Sequence, residues 1–367
     1  MSESIAAKTF EVLKDDWSQT RVVEESIPLD LAAGEVVFRV DRFALTANNI
    51  SYCTAGDTLG YWGFFPAEEG WGRIPTMGYA DVIASAHPDI PVGERVWGFF
   101  PMSTHLKVQA GKVRADQFVD VSPHRAEYAP VYAQFTRSAA NPIYDPARED
   151  QDSLLRGLFM TSWLCEDFMS DNATFGADAY LITSASSKTS IALGFAVKER
   201  GEKRAIGLTS AGNVAFCESL GCYDEIVTYD AIAELDPAVP VVMVDMAGNA
   251  DLISQLHHHY GDNMKYSCRV GATHHDKGGV VEGLPGATPE FFFAPSQVQK
   301  RSQEWGPEKL MQALGMSFLR FREFSDGWLQ VNRGYGAEAV STTYQSVLAG
   351  GASPQQGQIL SMEEQSA

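Results

Sequence analysis

Short apolar runs broken by glycine and proline dominate residues 8 to 135. They predict strands over 10–13, 20–25, 35–43, 79–86, 95–100 and 105–109, with turns at Ala-Ala-Gly (32–34) and Pro-Val-Gly-Glu (91–94). Many short strands with such punctuation suggest a barrel-like domain. The polar, proline-bearing stretch 141–151 reads as a connection, and a helix with a broad apolar face follows over 154–169. From 178 to 300 the pattern changes. Continuous apolar runs predict strands over 179–183, 205–209, 225–228, 240–245 and 266–272, alternating with helices near 188–200, 212–220 and 249–260. A run such as Val-Val-Met-Val (241–244), unbroken by polar residues, suits a parallel sheet covered on both faces. The tail from 308 to 360 carries a helix, aromatic segments and a final helix-strand unit.

The unit over 178–213 carries the most chemistry. An apolar run, Tyr180 to Ile182, leads into Ser184, Ser186 and Ser187, and a helical pattern starts at Lys188 and Thr189. A strand feeding a helix N-terminus aims backbone N–H groups and the positive end of the helix dipole at one point, which suits a phosphate. Lys188 would add a full positive charge there. The second strand ends in Thr209 and Ser210 with no acid. In a dinucleotide fold an acid at this point binds the free ribose 2′-hydroxyl, whereas a 2′-phosphate needs the acid absent. Thr209, Ser210 and Asn213 therefore fit NADP(H) better than NAD(H). A plain strand-helix-strand crossover with no ligand stays open, because the turn lacks G-x-G-x-x-G.

The chain has 367 residues, enough for two domains, and a net charge of −19. That charge argues against nucleic acid or an anionic membrane as partner, and obliges an anionic cofactor to rely on a local positive pocket. No apolar run of about 18 residues predicts a membrane span, and the first residues lack the basic start and apolar core of a secretory signal. Five cysteines, odd in number and without a C-x-x-C pair, predict buried free thiols in a reducing cytoplasm.

Seven segments in order carry a resemblance: 34–57 (GEVVFRVDRFALTANNISYCTAGD), 87–99 (HPDIPVGERVWGF), 157–169 (GLFMTSWLCEDFM), 219–230 (SLGCYDEIVTYD), 241–249 (VVMVDMAGN), 266–276 (YSCRVGATHHD) and 336–362. The chain resembles the medium-chain dehydrogenase/reductase superfamily, especially its zinc-free quinone-oxidoreductase-like members, over most of its length. TSASSKTS, VDMAGN and GATHHD look like a divergent branch known only as a domain of unknown function. The resemblance implies an α/β protein with a GroES-like β-barrel domain at 1–150, completed by about 310–367. It places a Rossmann-type doubly wound parallel sheet at 151–309. The family's glycine-rich phosphate turn is replaced by serines and a lysine.

Several roles follow by resemblance. Ser184, Ser187, Lys188, Thr189, Thr209, Ser210, Asn213, Tyr229, Ala247, Gly248, Thr273 and His274 form the cofactor-binding set for NADP(H). A purely structural, hydrogen-bonded His274 remains an alternative. Zinc-dependent relatives place a cysteine where Phe43–Thr46 lie and a His-Glu pair where Met77-Gly78-Tyr79 lie, so no metal is expected. Successive helical residues point about 100° apart, so His257–His259 read as a solvated helix end. Asn48 and Tyr52, in the family's catalytic loop, are the catalytic candidates. A simple turn and a packed ring are the alternatives.

The aromatic insertion 57–75 (Tyr61, Trp62, Phe64, Phe65, Trp71) either lines a substrate pocket or forms a barrel cap or dimer contact. Phe291–Phe293 reads as an edge or interface strand, with a substrate wall as the alternative; the resemblance to dimeric relatives that pair this strand edge to edge implies a homodimer. Lys300 and Arg301 either reach cofactor phosphates or form an exposed basic pair. The expectation is thus a cytoplasmic, zinc-independent, NADP(H)-dependent oxidoreductase passing hydride to an enone, quinone or carbonyl. A non-redox ligand-binding or structural module, or a lyase or isomerase, on the same fold is the alternative.

Overall fold

The structure is a computed structural model describing residues 3–57, 60–128, 130–270, 283–351 and 353–365. It divides into two compact units, Met1–Leu154 with Leu329–Ala367, and Leu155–Trp328.

In the first unit, strands β1 (Ser4–Leu13) and β2 (Asp16–Pro28) form an antiparallel pair that β4 (Trp71–Gly72) extends. β3 (Glu35–Leu45), β5 (Pro75–Ser85), β6 (Arg95–Pro101), β7 (His105–Gly111), β8 (Gln117–Asp120) and β9 (Gln134–Arg137) run β3-β5-β6-β9-β8-β7. The pairing of β3 with β7 then closes the ring into a six-stranded barrel. Closure is driven from inside. Phe38 packs on Phe100, Phe118 and Phe135 with ring centroids 5.8, 6.2 and 4.9 Å apart, all four fully buried. Such ring pairs contribute about 0.5–1.5 kcal/mol each beyond their area.

Helix α1 (Ala47–Thr54) follows β3 directly. Helix α2 (Glu149–Asp171) starts in the first unit with three acids in its first turn, a favourable position against the helix dipole. Two of them are held by arginines of the same unit: Glu149 by Arg95 at 2.5 and 2.6 Å, Asp150 by Arg42 at 3.0 Å and Arg333 at 2.7 Å.

The second unit holds β10 (Ala179–Ile182), α3 (Lys188–Arg200), β11 (Arg204–Thr209), α4 (Val214–Leu220), β12 (Glu225–Thr228), β13 (Val241–Asp245), α5 (Ala250–Tyr260), β14 (Met264–Arg269) and β15 (Pro289–Phe291). All six strands are parallel in the order β12-β11-β10-β13-β14-β15, the doubly wound arrangement. Every residue of β10 and β13 is buried, which is why their sequences do not alternate.

Two more helices, α6 (Ala294–Trp305) and α7 (Pro307–Ser325), complete this unit. The return to the first unit lies at Leu329 rather than near 310. The reason is that Phe318 and Phe321 of α7 pack on Phe159 of α2, and Phe321 also on Phe195 of α3. The chain then adds β16 (Gln330–Tyr335), α8 (Gly336–Leu348) and β17 (Gln356–Ser361), β17 pairing with β3.

Three readings need correction. The helix end at His257–His259 is not solvated throughout. His257 is fully buried, its ring nitrogens 2.9 Å from Pro285 O and 2.9 Å from Ser267 Oγ; only His258 is exposed. Burial also pushes the His257 imidazole below its ordinary pKa. Lys300 and Arg301 do not form an exposed pair: only Lys300 is exposed, and both are engaged by acids of α2. Arg301 is buried with Nε 2.7 Å from Asp167 Oδ2, and Lys300 pairs with Asp171. The segment carrying Asn48 and Tyr52 is a helix, not a loop.

Candidate functional site

The candidate phosphate turn joins β10 to α3 at the point where the sheet order reverses, the position at which open α/β sheets bind ligands. Ser184 adopts a left-handed backbone (φ 53°), unusual for a residue with a side chain. Two contacts hold it there. Its N–H donates to the Tyr229 hydroxyl (3.2 Å), and its carbonyl accepts from Ser187 N (2.7 Å). Ala185 is buried beneath the turn, its N–H on Leu208 O (2.9 Å) and its carbonyl accepting from the Tyr223 hydroxyl (2.8 Å). This close approach requires a glycine on β11, since a Cβ at Gly207 would lie 2.9 Å from that of Ala185.

Ser187 is the N-cap of α3. Its hydroxyl accepts from Ser190 N (3.2 Å) and donates to Ser190 Oγ (2.8 Å), which in turn donates to Thr183 O (2.8 Å). The amides of Lys188 and Thr189 sit ahead of the capped one, at the tip of the helix. Lys188 is half-buried, and loss of water around its ammonium pushes its pKa down to about 8.

The other expected cofactor residues gather at the same carboxyl edge of the sheet. Asn213 Nδ2 donates to Ser186 Oγ (3.1 Å) and Ser210 Oγ (3.2 Å), tying the turn to the end of β11. Ser210 is exposed, whereas Thr209 is buried with its hydroxyl bonded to Cys217. Ala247 and Gly248 follow β13, their N–H groups donating to the Asp245 carboxylate at 3.2 and 3.0 Å. Thr273 and His274 lie outside the described residues.

Sequence reasoning missed the latch behind this edge. Thr183 Oγ1 donates to Asp245 Oδ1 (2.8 Å) and accepts from Met246 N (2.9 Å), joining the ends of β10 and β13. Burial raises the Asp245 carboxyl, and its hydrogen bonds from Thr183, Gly248 and Ala247 oppose that rise. The signal was present in the polar residue ending each apolar strand, Thr183 and Asp245.

In the first unit, α1 places Asn48 and Tyr52 one turn apart, and the Asn48 side chain hydrogen-bonds the phenol. Burial raises the Tyr52 phenol above its ordinary pKa, Tyr132 adds to the rise, and the bond from Asn48 opposes it. Tyr52 therefore keeps its proton. Asn49, not Asn48, is the structural member of the pair, accepting from Thr46 N (2.7 Å) and donating to Pro75 O (2.9 Å).

The aromatic insertion is a packed satellite core. Tyr61, Trp62, Phe64 and Phe65 are all buried, and Tyr61 stacks on Tyr52 with centroids 4.4 Å apart. Tyr128 is so close that a Cβ at Gly63 would sit 1.7 Å from its hydroxyl. Arg125, itself buried, clamps the insertion. It donates to Phe64 O (2.8 Å) and Tyr132 O (2.5 Å) and lies over the Phe64 ring at 4.8 Å. Burial pushes its pKa down to about 10 despite Asp120 nearby. Among the described residues no group of three His, Cys, Asp or Glu side chains is arranged to hold a metal ion, and no helix is long and apolar enough to cross a membrane.

A family model described as Protein of unknown function (DUF2855) matches residues 43–353. No curated protein matches the sequence. Among solved structures, a candidate NADPH:quinone reductase from Mesorhizobium loti superposes with a TM-score of 0.62 at 14% identity, over 98% of this chain and 100% of that one. CurA from Vibrio vulnificus, in complex with NADPH, gives 0.58 at 12%, again over 98% and 100%. The yhdH oxidoreductase from Salmonella enterica, in complex with NADP, gives 0.54 at 12% over 98% and 100%. At such identities the likeness is one of fold.

Proposed function

Since the chain belongs to the DUF2855 family and has the fold of the medium-chain dehydrogenase/reductases, we propose that it is a zinc-independent, NADP(H)-dependent oxidoreductase acting on an enone, quinone or carbonyl compound. One observation carries the reading. At the switch point of the parallel sheet a lysine opens the helix, and the end of the second strand, Thr209–Asn213, has no carboxylate. The similar structures that hold NADPH or NADP support the same cofactor.

In this reading Lys188 and the α3 N-terminus hold the diphosphate, with Ser184, Ser187 and Thr189 around it. Ser210 and Asn213 face the 2′-phosphate, and Tyr229, Ala247 and Gly248 border the rest of the cofactor. When bound, NADPH supplies the hydride. Tyr52 and Asn48 supply hydrogen-bond donors to the substrate oxygen on which negative charge develops, and the raised phenol pKa keeps Tyr52 in its donating form. The cytoplasm is the expected compartment for such a chain with five unpaired cysteines.

Titration of the purified protein with NADPH and NADH by nicotinamide fluorescence tests this. Tighter binding of NADPH is expected, and a panel of enones, quinones and aldehydes then identifies the acceptor. Absence of binding by either coenzyme at millimolar concentration rules the reading out. A second reading, a ligand-binding module without redox chemistry, draws on the self-satisfied Ser187 cap, which already uses hydroxyls that a phosphate would want.

We also propose a homodimer through β15, a three-residue edge strand that ends in exposed Phe291 (53%), with exposed Phe293 (44%) two residues on. Sedimentation equilibrium is expected to give twice the 40.1 kDa chain mass; a monomer at micromolar concentration would refute it.

A further inference from the structure

Two thiols meet in the core of the second unit. Cys165 on α2 and Cys268 on β14 are 103 residues apart in sequence, and their Sγ atoms lie 3.8 Å from each other. Both side chains are fully buried. Among the described residues theirs is the one sulfur–sulfur contact within hydrogen-bonding distance, and Cys53, Cys217 and Cys222 are buried without one.

From this juxtaposition we propose that Cys165 and Cys268 form a latent disulfide, which peroxide-class oxidants close and thiol reductants reopen. The balance is complete with peroxide as the named oxidant. One thiol is oxidised to a sulfenic acid with release of one water. The neighbouring sulfur then attacks it, forming the S–S bond and expelling a second water. Two thiols lose two electrons and two protons, and one peroxide is reduced to two waters. The bond to Cys268, and then burial, hold the Cys165 thiol well above its ordinary pKa, so the reactive thiolate is scarce in the closed fold and the first step waits on a local opening. The crosslink joins α2 to β14, the strand beside β13, whose end carries Ala247 and Gly248. It closes a loop of about a hundred residues, a span over which crosslinks restrict the unfolded chain strongly.

Hydrogen peroxide treatment of the intact protein in dilute urea, followed by peptide mass spectrometry without reductant, reads the pairing. A Cys165–Cys268 peptide is expected, with a rise of several degrees in melting temperature that dithiothreitol reverses. Cys268→Ala should lose both the peptide and the rise. Should that variant fold poorly, thiol alkylation of the wild type gives the same answer. Loss of two alkylatable thiols at these positions supports the pair. Five alkylatable thiols after peroxide, or a pairing through Cys217 or Cys222, overturns it. The outcome is independent of cofactor binding.

Discussion

Replacing Lys188 by alanine is expected to weaken NADPH binding by about 1.5–3 kcal/mol, or roughly tenfold to a hundredfold in Kd, the contribution of a charge-assisted hydrogen bond. Lys188 is the first residue of α3, where the helix dipole adds to the attraction of its charge for a phosphate. Its lowered pKa, about 8, adds a pH signature. Below that pH the group is charged and attracts the anion; above it the charge is lost. Wild-type affinity should fall as pH rises through about 8, while that of Lys188→Ala should lack this inflection. A bound phosphate favours the charged form, which moves the inflection upward in the complex. Fluorescence titrations across pH 6.5–9.5 read both effects. Equal affinity of the two proteins would remove the lysine from the site and favour the non-redox reading.

Replacement of Arg125 by methionine is expected to lower the stability of the first unit by about 2–4 kcal/mol. Two buried carbonyls, Phe64 O and Tyr132 O, would lose their donor, each at a cost of about 1–3 kcal/mol. Methionine keeps most of the volume, so the loss isolates the guanidinium from simple cavity formation. Urea denaturation followed by near-UV circular dichroism should show the lower midpoint, because the packed rings around Arg125 contribute to that signal. A change below about 0.5 kcal/mol would show that water replaces the guanidinium and that the insertion holds itself together. Since Tyr132 packs on Tyr61 and Tyr61 stacks on Tyr52, the same variant should also loosen the catalytic candidate.

The doubly wound sheet was legible because its strands are buried on both faces. Val241–Val244 announces itself without alternation, and the turn residues after β10 and β11 mark where the carboxyl edge lies. The barrel was legible as a set of short strands, but its closure was not, since the pairing of β3 with β7 joins segments about seventy residues apart. Helix α1 was hidden by its own start. Thr-Ala-Asn-Asn reads as a turn, yet Thr46 and Asn49 form a capping box that starts the helix, and Asn49 is also tied to Pro75 O. His257 escaped for a similar reason. Its burial depends on Ser267 and Pro285, neither of which its helix reveals.

The candidate site was visible as hydroxyl and basic residues. Which hydroxyls face outward was not, because capping by Ser187 and the bond from Thr209 to Cys217 are set by geometry rather than by residue type. The aromatic insertion left two readings open. Burial of Tyr61, Trp62, Phe64 and Phe65 favours packing over an open pocket.

A turn lined by Ser184, Ser186 and Ser187 differs in kind from one lined by bare backbone. An amide can only donate, and its direction is frozen with the chain. A hydroxyl rotates about one bond and can present either its hydrogen or its lone pairs. The three serines therefore form an amphoteric surface, and Lys188, next in sequence, brings the positive charge. Because the Ser187 hydroxyl is committed to Ser190 and the Ser186 hydroxyl accepts from Asn213, whatever occupies this turn competes with bonds already made, a cost that a glycine-lined turn does not impose.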